Sequence, residues 1–233
     1  MTDIAPEIYA QIEADFKAGV NMDPGIVKIV KRVSAGKATQ KDMATLSERL
    51  GVQASKALRK NLVAEALPDQ RLYWNIAEKT IQPLLVKVYE TVNTEAMIAQ
   101  SAYDKAAKLR IGIAKGANPD GIIKSVMENA VSSSLNGELT TALDKPVVTA
   151  GRKFYDDFQK ENARLRSELG LETTVVRVYD GVGLHNRKTP CEYCIEREGV
   201  WSYEDANANG VFARHPGCGC TIEYHTVKGV EVI

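Results

Sequence analysis

The side chains that bind soft metals are confined to one end of this chain. All four cysteines, Cys191, Cys194, Cys218 and Cys220, and all three histidines, His185, His215 and His225, follow residue 180 of 233. Everything before them must fold on apolar packing and hydrogen bonds. The segment that holds them is too short for a comfortable hydrophobic core, and pieces of that size commonly depend on a metal or on disulfides.

The first 170 residues read as a succession of helices. Ile8, Ile12 and Phe16 recur at four-residue spacing behind Pro6, which suits a first helical turn. Pro24-Gly25 punctuates, and Ile26 to Val33 make a short apolar helix that Gly36 ends. From Thr39, a stripe of Met43, Leu46, Leu50, Ala54, Ala57, Leu58 and Leu62 predicts a one-sided surface helix with a break expected near Gly51. Leu67-Pro68-Asp69 opens the longest pattern, running through Ile76, Ile81, Leu85, Val88, Val92, Ala96 and Ala99. Pro83 lies inside it, so a kink or a break is expected there. Gly112, Gly116 and Asn118 to Gly121 supply turn chemistry, Ile122 to Val131 a shorter helix, and Val147 to Leu169 the last one, with Gly170 as its C-cap.

At Thr173 the period changes. Thr173 to Tyr179 is β-branched and aromatic, the length of one strand; Ile222 and Tyr224 mark a second, and Val230 to Ile233 a third. The predicted fold class is mainly α: an elongated helical domain, residues 1–170, followed by a small α+β module, residues 171–233, stapled by zinc.

The staple is read from Cys191-Glu192-Tyr193-Cys194, a gap of 20 residues, and His215-Pro216-Gly217-Cys218-Gly219-Cys220. A C-x₂-C turn places two thiolates on one side of a tight loop, and a second pair from a distant segment closes a tetrahedron. Mixed thiolate and imidazole donors favour Zn²⁺, one per chain. Five candidates compete for four positions: Cys191 and Cys194 are the firmer pair, and any two of His215, Cys218 and Cys220 complete the set. The alternatives are a pair of disulfides, for which four cysteines allow three connectivities, and free or reactive thiols. Four closed ligands describe a structural zinc rather than a catalytic one, and Glu192, Glu196, Glu198 and Glu204 read as solvated loop residues, so no catalytic residue is expected.

Charge narrows the partners. Thirty basic residues balance thirty acidic ones, which argues against an obligate nucleic-acid binder with its excess of Lys and Arg. No apolar run is long enough to span a membrane, and the N-terminal stretch has neither a basic nor an apolar leader region, so neither a membrane nor a secretory route is expected. Leu46 to Leu62, with Gly51 at a joint and a basic second half, also fits a weak helix-turn-helix pattern.

Three stretches together resemble the minor head, or minor capsid, proteins of tailed bacteriophages, including the family related to phage Mu head-morphogenesis proteins. They are Lys188 to Gly199 with Tyr203-Glu204-Asp205; Val211-Phe212-Ala213-Arg214-His215-Pro216-Gly217-Cys218-Gly219-Cys220-Thr221-Ile222-Glu223-Tyr224; and, in the helical part, Ala35 to Thr39, Leu67-Pro68 and Asn75 to Leu84. The family usually carries Arg between its last two cysteines, where this chain has Gly219, so that arginine's contacts are not carried over. The resemblance implies a virion component rather than an enzyme, made in the host cytoplasm and held inside the capsid or near the portal. Its partners would be other capsid or portal proteins; contact with packaged DNA and self-association are compatible with it. Two other classes compete. One is a zinc-containing nuclease of treble-clef type, drawing on His185, Asn186 and His225; the other is a DNA-binding regulator using residues 46–62.

Overall fold

A computed structural model describes residues 3–179 and 190–227. Seven helices come first: α1 (Ala5–Met22), α2 (Pro24–Ser34), α3 (Gln40–Asn61), α4 (Trp74–Ala106), α5 (Asp120–Ser134), the single turn α6 (Leu139–Ala142) and α7 (Lys145–Glu168). Then follow β1 (Glu172–Tyr179), the short α8 (Glu192–Ile195), β2 (Gly199–Ser202), α9 (Tyr203–Ala208) and β3 (Cys220–Val227). The chain is thus mainly α with a small antiparallel sheet near its C-terminal end, ordered β2-β1-β3. His185, Asn186 and the expected strand at 230–233 lie outside the described residues. No helix among the described residues is long and apolar enough to cross a membrane.

The helix ends follow local chemistry. Asp23 caps α2 by accepting from the Gly25 and Ile26 amides at 2.9 and 3.2 Å, and the same carboxylate takes Arg49 at 2.9 Å and Gln53 at 3.0 Å from α3. One aspartate therefore fixes both a helix start and a helix packing angle. Thr39 and Asp42 form a capping box at the start of α3. Gly170, at φ +75°, closes α7 as expected, with the Leu171 amide donating to the Arg166 carbonyl at 3.1 Å.

The joint at Gly51 is absent, and the helix at Pro83 is unbroken. α3 is unbroken through Gly51, so residues 46–62 contain no turn and are not a helix-turn-helix. Gly51 is a crossing point instead: a Cβ there would lie 3.0 Å from Val148 Cα and O, and one at Gly151 would lie 2.6 Å from the Ser47 carbonyl and 3.1 Å from Gly51 Cα. Two glycines let α3 and α7 touch backbone to backbone, and a sequence stripe cannot tell a joint from a close approach. Pro83 lies within a continuous α4, which starts at Trp74, after Pro68–Gln70 has formed a separate 3-10 turn.

The apolar stripes of α1 to α7 meet in one large cluster that includes Phe16, Leu46, Leu58, Leu85, Val92, Phe154 and Phe158. A second, smaller cluster lies between α7, α9 and the sheet, and holds Ala163, Val175, Tyr203, Val211, Phe212, Ile222 and Tyr224. β1 runs antiparallel to both neighbours, with Val176 opposite Val200 and Glu223, and Tyr179 opposite Cys220. Between the two Cys/His segments, residues 199–208 form β2 and α9.

Gly151→Val should lower stability by about 1–3 kcal/mol, because backbone on the facing helix cannot give way; an unchanged urea midpoint would show that α3 and α7 are not in such close contact. Burial, together with the neighbouring Asp156 carboxylate, pushes the Asp157 carboxyl from 3.8 up to about 6. The folded chain then holds a proton that the unfolded chain releases, so this group's contribution is present below about pH 4 and is lost as pH rises through about 6. Asp157→Asn should match wild type near pH 4 and be more stable by about 1–2 kcal/mol at pH 7, as measured by unfolding at both pH values.

Candidate metal centre

Two loops converge below the end of β1. Cys191 precedes the single turn α8, whose Cys194 and Ile195 amides donate to the Cys191 carbonyl at 2.9 and 3.0 Å, placing the two thiols side by side. The second loop turns at His215-Pro216-Gly217-Cys218: the Cys218 amide donates to the His215 carbonyl at 3.1 Å, Gly217 sits at φ +75°, and its amide donates to Thr149 Oγ1 on α7 at 3.2 Å. Cys220 opens β3 and is fully buried.

The ligand atoms meet in two overlapping triples, Cys191 with Cys194 and His215, and Cys194 with Cys218 and Cys220, each within 4.8 Å. All five residues singled out in the sequence are brought together, and they can hold a metal ion. His215 Nε2 lies 3.1 Å from Cys191 Sγ and 3.4 Å from Cys194 Sγ, and Cys194 Sγ lies 3.7 Å from Cys218 Sγ. A tetrahedron with bonds of about 2.3 Å to sulfur and about 2.0 Å to nitrogen has edges of about 3.8 Å between sulfurs and about 3.5 Å between sulfur and nitrogen. These three separations are close to such edges, and Cys194 is the ligand common to both triples. None of the cysteines is in a disulfide, and 3.7 Å is well beyond the S–S bond length of about 2.05 Å.

His215 is oriented for ligation. Its Nδ1 lies 3.0 Å from the Pro216 carbonyl, an acceptor that places the ring proton on Nδ1 and leaves the Nε2 lone pair facing the sulfurs. Tyr193 packs edge-on against the imidazole at 5.6 Å between centroids, and Arg197 stacks over that tyrosine ring at 3.8 Å.

The sequence reading missed the arginines. Arg177 points inward from β1, beside Val175, and is fully buried. Its guanidinium donates to the Val211 carbonyl, to the Ala213 carbonyl at 2.8 Å, and toward Cys218 Sγ at 3.5 Å and Cys194 Sγ at 3.9 Å. Arg214, also buried, donates from Nε and Nη2 to Asp156 on α7, the Nη2 bond being 2.9 Å, and from Nη1 to the Cys220 carbonyl at 2.6 Å. Arg152 on α7 donates to the Cys218 carbonyl at 2.6 Å and the Cys220 carbonyl at 3.1 Å. The only signal available was Arg177 at an inward position of an alternating strand.

The electrostatics follow. A hydrogen bond from the Cys220 thiol, then the Arg214 and Arg177 charges, bring the Cys218 thiol down to about 3 against the cost of burial. The same hydrogen bond and burial push the Cys220 thiol up. Burial raises Cys194. The nearby glutamates turn away: Glu192, Glu196, Glu198 and Glu204 are all exposed, Glu196 pairing with Arg197 at 3.0 Å and Glu204 accepting from Ser167. His225 is exposed, on the face of β3 opposite Cys220, Ile222 and Tyr224, with Glu223 at 3.9 Å.

No protein-family model, curated protein or solved structure matches this chain.

The Arg214–Asp156 pair is buried on both sides, so removing one charge strands the other. Asp156→Asn should cost about 3–5 kcal/mol, and the double change Asp156→Asn with Arg214→Met should recover part of that loss. Equal unfolding midpoints for wild type and Asp156→Asn would contradict this placement.

Proposed function

We propose that this chain is a structural minor head protein of a tailed phage virion, acting in head assembly or at the portal-proximal interior of the capsid, with one structural Zn²⁺ in the Cys/His cluster. The observation that carries the structural reading is the closure of the cluster: sulfurs, an imidazole and guanidiniums face the ligand atoms, while the four neighbouring glutamates face solvent. A catalytic zinc works through an open position and a carboxylate beside it. Here the metal's work is to hold two loops in one geometry, because binding to thiolates contributes directly to folding.

The virion assignment rests on the resemblance of residues 188–224 and of the helical segments to minor head proteins. Its physical support is a helical body that carries the cysteine module rigidly on α7, a suitable docking piece against capsid or portal subunits. Contact with packaged DNA suits the stretch between Asp104 and Asp120, where Lys105, Lys108, Arg110 and Lys115 are exposed and no acidic residue intervenes.

Two measurements bear on this reading. Mass spectrometry of purified particles should find the chain, and its absence from them would refute the virion role. Elemental analysis of the purified protein should give one zinc per chain, and a zinc-free protein that folds unchanged would refute the staple.

A further inference from the structure

Three guanidiniums surround the sulfur cluster, and two of them meet carboxylates. Arg214 pairs with Asp156 at 2.9 Å, and Arg152 lies 3.7 Å from Glu48. Arg177 differs. It is fully buried, two of its bonds go to neutral carbonyls, and its ionic neighbours are the sulfurs of Cys218, Cys194 and Cys220. An arginine does not shed its proton inside a protein, and a buried charge without an opposite one costs several kcal/mol, so about one negative charge must reside on the cluster.

That charge decides among the ligand sets. Zn²⁺ with four thiolates carries two negative charges; with three thiolates and a neutral imidazole it carries one; with two thiolates and neutral donors it carries none. One guanidinium left over by the carboxylates matches the second case. Among the sulfurs, Cys218 receives N–H groups from both Arg177, at 3.5 Å, and Arg214, at 3.7 Å, and lies 3.7 Å from Cys194 Sγ, near the length of a tetrahedral edge. Cys220, the first residue of β3, lies in the same triple as Cys194 and Cys218, with its carbonyl held by Arg152 and Arg214.

We infer that Arg177 is the counter-ion of the metal centre, and that it limits the ligand set to three thiolates and His215: Cys191, Cys194 and one of Cys218 and Cys220. This rests on the zinc reading and deepens it: the strand, not the loops, sets the charge that the centre can hold. Arg177 is a positioning residue, acting through the ligands without touching the ion.

The test uses the full-length chain, loaded with zinc or cobalt, and chelator competition to measure affinity. Arg177→Met should weaken zinc binding about 10–100-fold, as loss of an outer-shell partner does. Arg177→Lys, which restores the charge without the planar fork, should recover part of it and carries the comparison if Arg177→Met does not yield folded protein. Of Cys218→Ser and Cys220→Ser, one should lose about a third of the thiolate-to-cobalt charge-transfer band as three thiolates become two, and the other should keep one metal per chain and the wild-type band. A merely structural Arg177 would lower the unfolding temperature equally with and without metal; the counter-ion role predicts a larger loss in the loaded form. Unchanged zinc affinity in both Arg177 variants, an equal loss in the two forms, or an equal loss of the band in the Cys218 and Cys220 variants would overturn the inference while leaving the zinc site in place. A wild-type chain that takes up neither zinc nor cobalt would overturn the zinc reading itself, and the inference with it.

Discussion

Arg214 reaches from the Cys/His loop to Asp156 on α7, and both groups are buried. Charges withdrawn from water cost several kcal/mol each unless they are matched in geometry, so this pair forms only when loop and helix are correctly docked. The rest of the C-terminal part is hung on the same helix by similar means. Arg152, one turn earlier on α7, holds the carbonyls of Cys218 and Cys220; Thr149 accepts from Gly217; and Gln159 donates to the Ile222 carbonyl at 3.3 Å. Gln40, at the start of α3, bonds both backbone groups of Tyr224, at 2.6 and 2.9 Å, so side chains satisfy part of the outer edge of β3. α7 is therefore one helix with two duties: Phe154 and Phe158 pack the helical core, while its polar side chains carry the sheet and the cluster.

A second buried pair repeats the device nearer the helix end. Arg166 donates both bonds from Nη2 to Asp104 of α4, at 2.8 and 2.7 Å, and lies over the Tyr224 ring at 5.2 Å. The two hydrophobic clusters thus meet across ion pairs and aromatic faces rather than across a continuous apolar layer. Such contacts form only when both partners are correctly placed.

What the sequence showed and what it hid divide along physical lines. Periodic apolar stripes such as Leu46, Leu50, Ala54 and Leu58 report burial directly, and Gly170 reports a left-handed residue, so helices and caps were legible. The Cys and His spacing was legible because those donor types have few other uses in combination. Gly51 was misread because a glycine that makes a turn and a glycine that admits a neighbouring backbone look alike until the partner, Gly151, is known. β2 was missed because its four residues have one partner strand and no long alternating pattern. The buried arginines were missed for a deeper reason: an arginine in a sequence reads as surface, and only the position of its anion shows otherwise.

The central claim is that the two loops form a closed, anionic thiolate centre on which a buried guanidinium and the docking of the sheet both depend. X-ray absorption at the zinc edge of the purified chain measures that shell most directly. The account predicts three sulfur neighbours at about 2.3 Å and one nitrogen at about 2.0 Å, with no oxygen ligand. A shell of nitrogen and oxygen without sulfur, or a spectrum of aqueous zinc, would contradict it.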